Sequence, residues 1–207
     1  TANVGGDTIR FGMYFKSVIG VELNDDNFDV LNHNVGVYRP RLNNISVIKG
    51  DILDESVYQQ VHTDVLYLDP PWGGKGYKDY DEEKMVIFLS NVSLTQFIGN
   101  VLLNQVRPSY IFIKLPINYN IDSLRDMPYV NDMQVYKIRK FYLVCLLVDN
   151  KTTLKKADVL SSFFSLSFFF FRDEMGLYND LDKLVDTIDS TIKNGGHFIG
   201  TTIDGKR

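Results

Sequence analysis

The hexapeptide Asp69-Pro70-Pro71-Trp72-Gly73-Gly74 carries the most distinctive set of reactive groups in the chain. Two successive prolines remove two backbone N–H donors and fix an extended path, which aims the carbonyls of the turn into the cleft it borders. Asp69 adds a carboxylate acceptor, and Trp72, the one tryptophan of the chain, adds a flat surface on which a base can stack. Together these groups suit one kind of reaction. An amino group attached to a base is a poor nucleophile, because its lone pair is conjugated with the ring. Acceptors that hold its two hydrogens localise that lone pair for in-line attack on a methyl group. Asp69, Pro70, Pro71 and Trp72 are therefore the candidate catalytic residues.

A second set points to a nucleoside-like ligand. In Asn3-Val4-Gly5-Gly6-Asp7-Thr8, paired glycines at a strand-to-helix turn let backbone N–H groups approach a ligand closely. The loop is neither a G-x-G-x-x-G fingerprint nor a phosphate loop with its lysine, and a plain tight turn would show the same residues. Glu22 ends the apolar run 17–22 (SVIGVE), where an acid can accept both hydroxyls of a ribose; a solvated strand-end acid is the plainer alternative. Asp51 follows the run 44–49 (NISVIK) and suits an adenine amine. Ligands of open α/β sheets bind outside the carboxyl ends of the strands, so the three signals converge on one place. The candidate cofactor residues are Asn3, Gly5, Gly6, Thr8, Glu22 and Asp51.

The elements that must position these groups follow from periodicity. Apolar runs at 17–22, 44–49, 64–68 (DVLYL) and 110–115 (YIFIKL) each end in polar or turn residues, as buried parallel strands do. Segments 25–34 and 91–106 between them have helical spacing. Runs 133–139 and 141–148 are joined with no room for a crossover, which predicts an antiparallel hairpin at the sheet edge. The predicted fold is α/β, a doubly wound, mostly parallel sheet ending in an antiparallel hairpin. The strand that should precede the glycine loop is not there, and the chain opens at Thr1 without methionine, so it reads as a piece of something longer. Residues 1–149 form the predicted main domain and 150–156 a polar, lysine-rich linker. Residues 157–207 form a β-α-β segment with an amphipathic helix over 178–193.

Other classes are excluded or weakened. A net charge of −4 does not suit a protein that coats nucleic-acid backbone, so a nucleic-acid substrate would be gripped locally at a pocket. The single Cys145 excludes a disulfide framework and a cysteine zinc site, and its apolar setting predicts a buried strand position. His33, His62 and His197 have no metal-ligand spacing, so no metal is expected. Lys137, Arg139 and Lys140 read as a solvated hairpin turn, and residues 79–83 as an exposed helix start. The greasiest stretch, 163–171, is interrupted by serines and too short for a membrane span, and no secretory signal is present.

On these motifs the first part of the chain resembles the class I S-adenosylmethionine-dependent methyltransferases with their Rossmann-like fold, and among them the trimethylguanosine synthases. The likeness runs through NVGGDTIRFG (3–12), VIGVEL (18–23), IKGDIL (48–53), LYLDPPWGG (66–74) with Tyr77 following, and FIKLP (112–116). It implies methylation of the exocyclic N2 of a 7-methylated cap guanine, with S-adenosylmethionine as cofactor and capped RNA or a cap nucleotide as partner. Asn3, Gly5 and Gly6 would line the methionine part, Glu22 the ribose and Asp51 the adenine. Residues 69–72 would hold the target guanine, with Trp72 stacked on its cationic ring. Lys75, Tyr77 and Asn118 join Trp72 as candidate substrate contacts. At Ile117 the chain departs from relatives with a basic, phosphate-contacting residue there, and Lys75 and Lys78 lie near enough in sequence to substitute. Residues 157–207 resemble the second half of an mRNA cap guanine-N7 methyltransferase, with Ser167-Phe168 where that family has a His-aromatic pair. Cap-related content and abundant phenylalanine and asparagine point to a viral chain acting inside the host cell, in nucleus or cytoplasm. Guanine-N7 methylation, adenine-N6 methylation and a non-catalytic cap- or cofactor-binding fragment remain the alternatives.

Overall fold

The computed structural model describes residues 1–61, 63–79, 85–103 and 107–148, all within one compact unit, Thr1–Thr152. His62, the acidic run beyond Asp79, the linker 150–156 and the segment 157–207 with His197 lie outside the described residues.

The glycine loop leads into α1 (Gly6–Gly12), followed by β1 (Val18–Glu22), α2 (Asp25–Tyr38), β2 (Ile45–Lys49), the short α3 (Glu55–Tyr58) and β3 (Val65–Leu68). A 3-10 segment (Gly74–Asp79) comes after the Asp-Pro-Pro-Trp turn. Then follow β4 (Phe88–Leu89), β5 (Val92–Ser93), α4 (Leu94–Leu103), β6 (Tyr110–Pro116), a 3-10 turn (Ile121–Leu124), β7 (Asp132–Ile138) and β8 (Phe141–Leu147). Local chemistry explains the boundaries. Asn24 caps α2 by accepting the Asn27 N–H at 2.9 Å, and Asp25 and Asp26 favour its first turn. In α4, Leu94, Phe97, Ile98, Val101 and Leu102 are all buried, a continuous apolar stripe at helical spacing.

β1 and β2 pair in parallel, and a four-stranded sheet runs in the order β3-β6-β8-β7, with β3 and β6 parallel and β8 antiparallel to both its neighbours. This is a Rossmann-like α/β fold on a mixed sheet with the expected terminal hairpin, whose turn is Arg139-Lys140. One feature differs from a single continuous sheet. Among the described residues no strand bridges β1 and β3. The reason lies in the alternation of β1's peptide groups. Glu22 C=O faces β2, accepting from Gly50 N–H at 3.0 Å, whereas Val21 C=O faces the opposite edge and accepts from Ala2 N–H at 3.0 Å. Residues before the glycine loop therefore pair with the edge of β1 opposite β2.

Two predicted boundaries shift. Pro116 does not close β6 from outside but is its last residue, paired with Phe141. The predicted helix over 91–106 begins only at Leu94, because Val92 and Ser93 pair in a tight hairpin with β4 and the Ser93 hydroxyl accepts the Gln96 N–H at 3.2 Å as an N-cap. The core lies between α4 and β6, where Ile111, Ile113 and Leu115 are fully buried. Each such side chain contributes roughly 1.5–3 kcal/mol of transfer free energy. Cys145 is buried on β8 opposite Phe112, as its apolar setting predicts, and His33 is exposed on α2.

Candidate active site

Glu22, Asp51 and Asp69 all stand at the carboxyl ends of parallel strands, and the glycine loop is tied to the first of these ends through Asn3. Glu22 is buried at the end of β1. Its Oε2 accepts the Asn3 N–H at 2.7 Å and its Oε1 the Asn24 N–H at 3.0 Å. Burial pushes this carboxyl up, but the N–H groups of Asn24 and Asn3, with the Thr1 amino group, outweigh it and leave it below the usual glutamate range. Oε1, holding one N–H, keeps a further lone pair for a hydroxyl, whereas Oε2 also faces the Thr1 amino group at 3.5 Å. Asp51 follows β2; its Oδ1 accepts the Leu53 N–H at 3.0 Å and its Oδ2 the Ser90 hydroxyl at 2.5 Å.

Gly5 precedes α1 with φ +93°, a left-handed conformation that only glycine adopts cheaply. A Cβ there would stand 2.7 Å from Cδ1 of Leu31, which is fully buried and has nowhere to swing. Gly5→Ala is expected to cost about 1–3 kcal/mol of stability, from left-handed strain and overpacking together. Urea unfolding measures it, and a variant as stable as wild type would contradict the close approach.

The second half of the site is the turn after β3. Lys114, on β6, binds Asp69 Oδ2 through Nζ at 2.8 Å, while its own C=O accepts the Trp72 Nε1–H at 3.2 Å. Trp72 is half-buried and meets the Tyr77 ring at 73° with centroids 5.4 Å apart. Pro70 is buried and Pro71 exposed. Gly73 and Gly74, at φ +87° and +75°, reverse the chain beyond the tryptophan. Burial pushes the Asp69 carboxyl above the usual aspartate range; Lys114 opposes the shift and the charge of Asp7 adds to it. Asp7 also joins the two halves, since the Tyr67 hydroxyl on β3 donates to its Oδ2 at 3.0 Å and the Tyr67 ring packs on Phe11 of α1. Burial and the charges of Asp7 and Asp69 push the Tyr67 phenol well up, so it stays a neutral donor.

The family model for RNA cap guanine-N2 methyltransferases matches residues 2–163. The chain belongs to this family. Relatives include the uncharacterized protein L320 of Acanthamoeba polyphaga mimivirus, 30% identical over 142 residues that cover 68% of this chain and 52% of that protein. The trimethylguanosine synthase of Schizosaccharomyces pombe is 27% identical over 139 residues, 62% of this chain and 55% of that protein. The chain thus spans about half the length of the curated relatives it matches. A solved structure of a delta-N METTL16 MTase domain covers 64% of this chain and 62% of that one at 13% identity and a TM-score of 0.44. The viral relative accords with the viral origin read from residue content.

Within the family frame, the structure brings Asn3 and Glu22 into direct contact and places Trp72 and Tyr77 against each other. Two candidates are differently employed. Thr8 is buried in α1 against β1, its Cγ2 and Oγ1 3.1 and 3.3 Å from where a Cβ on Gly20 would sit, so it packs helix on strand. Asn118 donates from Nδ2 to the Tyr77 C=O at 2.7 Å and so holds the segment after the turn. The side chain of Lys75 lies outside the described residues. Sequence reasoning missed Lys114, Ser90 and Tyr67. For Lys114 a signal existed, a lone charge inside the otherwise apolar run YIFIKLP. Among the described residues no cluster of His, Cys, Asp or Glu could hold a metal ion, and no helix is long and apolar enough to cross a membrane.

Proposed function

We propose that the chain is an S-adenosylmethionine-dependent RNA methyltransferase that acts on the exocyclic N2 of 7-methylguanosine in a 5′ cap. The observation that carries this reading is the turn after β3, where one residue of β6 holds both a carboxylate acceptor and an indole ring. The residues fit the cofactor. Glu22 offers its carboxylate to the ribose hydroxyls, with an open lone pair on Oε1, Asp51 offers an acceptor to the adenine amine, and the backbone at Asn3, Gly5 and Gly6 admits the methionine part. The bound cofactor supplies an electrophilic methyl group on a sulfonium that leaves as a neutral thioether.

The chain's own residues do the rest by placement. Trp72 stacks on the target base, and a 7-methylated guanine is cationic, which adds about 0.5–2 kcal/mol of cation–π attraction that neutral guanine lacks. Asp69 Oδ1, the oxygen not bonded to Lys114, accepts an N2 hydrogen. As the new N–C bond forms, N2 becomes positively charged and loses that proton to Oδ1 or to water. Its burial-raised affinity for protons suits Asp69 to the second role. The carboxylates of Asp7 and Asp69, only partly cancelled by Lys114, suit a site that brings together a sulfonium and a cationic base.

Incubation with S-adenosylmethionine and either 7-methyl-GTP or GTP, read by mass spectrometry, tests the reading. One or two methyls gained on the 7-methylated nucleotide alone is the expected result. Methylation of GTP at N7 would transfer the assignment to the activity that residues 157–207 resemble. Silence on both nucleotides, with methylation of adenine in RNA, would make the target an adenine.

A further inference from the structure

We propose that Lys114 is the positioning residue of the target-binding turn, its ammonium fixing Asp69 and its carbonyl fixing Trp72, so that one residue sets the acceptor and the stacking plane relative to each other. The inference deepens the reading just given and rests on it for the identity of the substrate. Lys114 is the one charged residue of β6, between Ile113 and Leu115, both fully buried. The Lys114 side chain itself is 29% exposed, and partners offset the part of its hydration that the ammonium gives up. It has two, Asp69 Oδ2 at 2.8 Å and the face of the Phe141 ring at 5.4 Å. The backbone of both residues is held in the β6–β8 ladder, where Phe141 pairs with Pro116 and Lys114 with Leu143. The strand end of the contact is thus anchored in the sheet, and the turn end is Asp69.

The contact also selects an oxygen. With one lone pair of Oδ2 taken by Lys114, Oδ1 is the less engaged acceptor that Asp69 offers a substrate amine. The charged and titratable groups around Asp69 are Lys114 from β6, Asp7 from α1, Tyr67 from β3 through its bond to Asp7, and the more distant amino group of Thr1. Among them Lys114 is the cation in direct contact. Removing it favours the protonated form of Asp69, so an activity that needs the carboxylate must lose its acid side at a higher pH.

Selective 13C labelling of aspartate carboxyls tests this in the full chain without any substrate, with Asp69→Asn assigning the resonance. In Lys114→Met the Asp69 titration moves to higher pH, and Lys114→Arg returns it toward wild type; Lys114→Gln serves if the methionine variant does not fold. Methyl transfer to 7-methyl-GTP then falls by about 10²-fold in kcat/KM, mostly through kcat, and the acid limb of its pH profile moves the same way. An Asp69 titration unmoved by the neutral variants, or a folded neutral variant with wild-type rates and profile, would overturn the proposal. A wild-type chain inactive on 7-methyl-GTP would instead strike the substrate reading, while the carboxyl titration still decides whether Lys114 governs Asp69.

Discussion

Trp72→Ala is expected to lower kcat/KM toward 7-methyl-GTP by about 10²- to 10³-fold while S-adenosylhomocysteine binds nearly as tightly as to wild type. Two losses combine. Base–aromatic stacking is worth about 1–3 kcal/mol per base, and the cation–π contribution of a desolvated, positively charged ring adds about 2 kcal/mol. At roughly 1.4 kcal/mol per decade, their sum of about 3–5 kcal/mol spans about two to three and a half decades, and the partial exposure of Trp72 places the loss in the lower part of that span. The discriminating readout is selectivity. Neutral guanine gains only the stacking, so the preference for 7-methyl-GTP over GTP should collapse in the variant, and a variant that keeps it would refute the stacking role. Trp72→Phe retains a plane but gives up the Nε1–H bond to the Lys114 carbonyl. It should lose about tenfold, because a less firmly oriented ring is a misplaced one. Trp72 and Tyr77 also pack on the main core, so urea unfolding of each variant separates lost recognition from lost stability. Binding is followed by calorimetry, since the alanine variant has no tryptophan left to report.

Elements whose residues speak through short-range pattern were legible from sequence. The runs ending at Glu22, Lys49 and Leu68 became β1, β2 and β3, because a near-continuous apolar stretch closed by a turn residue has few other ways to bury itself. Glu22 was placed correctly for the same reason, its position at a strand end being a local fact. What could not be read were contacts made across long separations. Ser90 reaches Asp51 over 39 residues, from a hairpin of two-residue strands too short to show any period. Tyr67 reaches Asp7 over 60 residues, and alternation alone cannot say which strand neighbours α1. Thr8 was ambiguous because a hydroxyl in a glycine loop and a hydroxyl packed on a glycine of the next strand look alike in one dimension. Lys114 combined both difficulties, a charge visible in β6 whose partner, 45 residues earlier, emerges only once β3 and β6 are known to be neighbours.

Glu22 should prove the most consequential residue on the cofactor side. Glu22→Ala removes the acceptor of two part-buried main-chain donors, those of Asn3 and Asn24, and losing bonds of this kind costs about 0.5–1.5 kcal/mol each. The loop from Asn3 to Gly6 loses its tie to β1 at the same time. Bonds from a carboxylate to two ribose hydroxyls are worth about 1.5–3 kcal/mol apiece, so affinity for S-adenosylhomocysteine should fall by about 10²-fold or more. Glu22→Gln is not a mild replacement here, because its amide nitrogen would confront one of the two backbone donors; it should resemble alanine more than wild type. The carboxyl lies below its ordinary range in the native state, so its contribution to stability is complete above the pH at which an unfolded glutamate ionises. That contribution is lost as the pH falls through the lower, native value. Urea unfolding from neutral to acid pH should therefore show a wild-type decline with a component that Glu22→Ala lacks. Parallel pH curves for the two proteins, or cofactor-product affinity unchanged by the substitution, would mean that Glu22 is a solvated strand-end acid after all and that the ribose is held elsewhere.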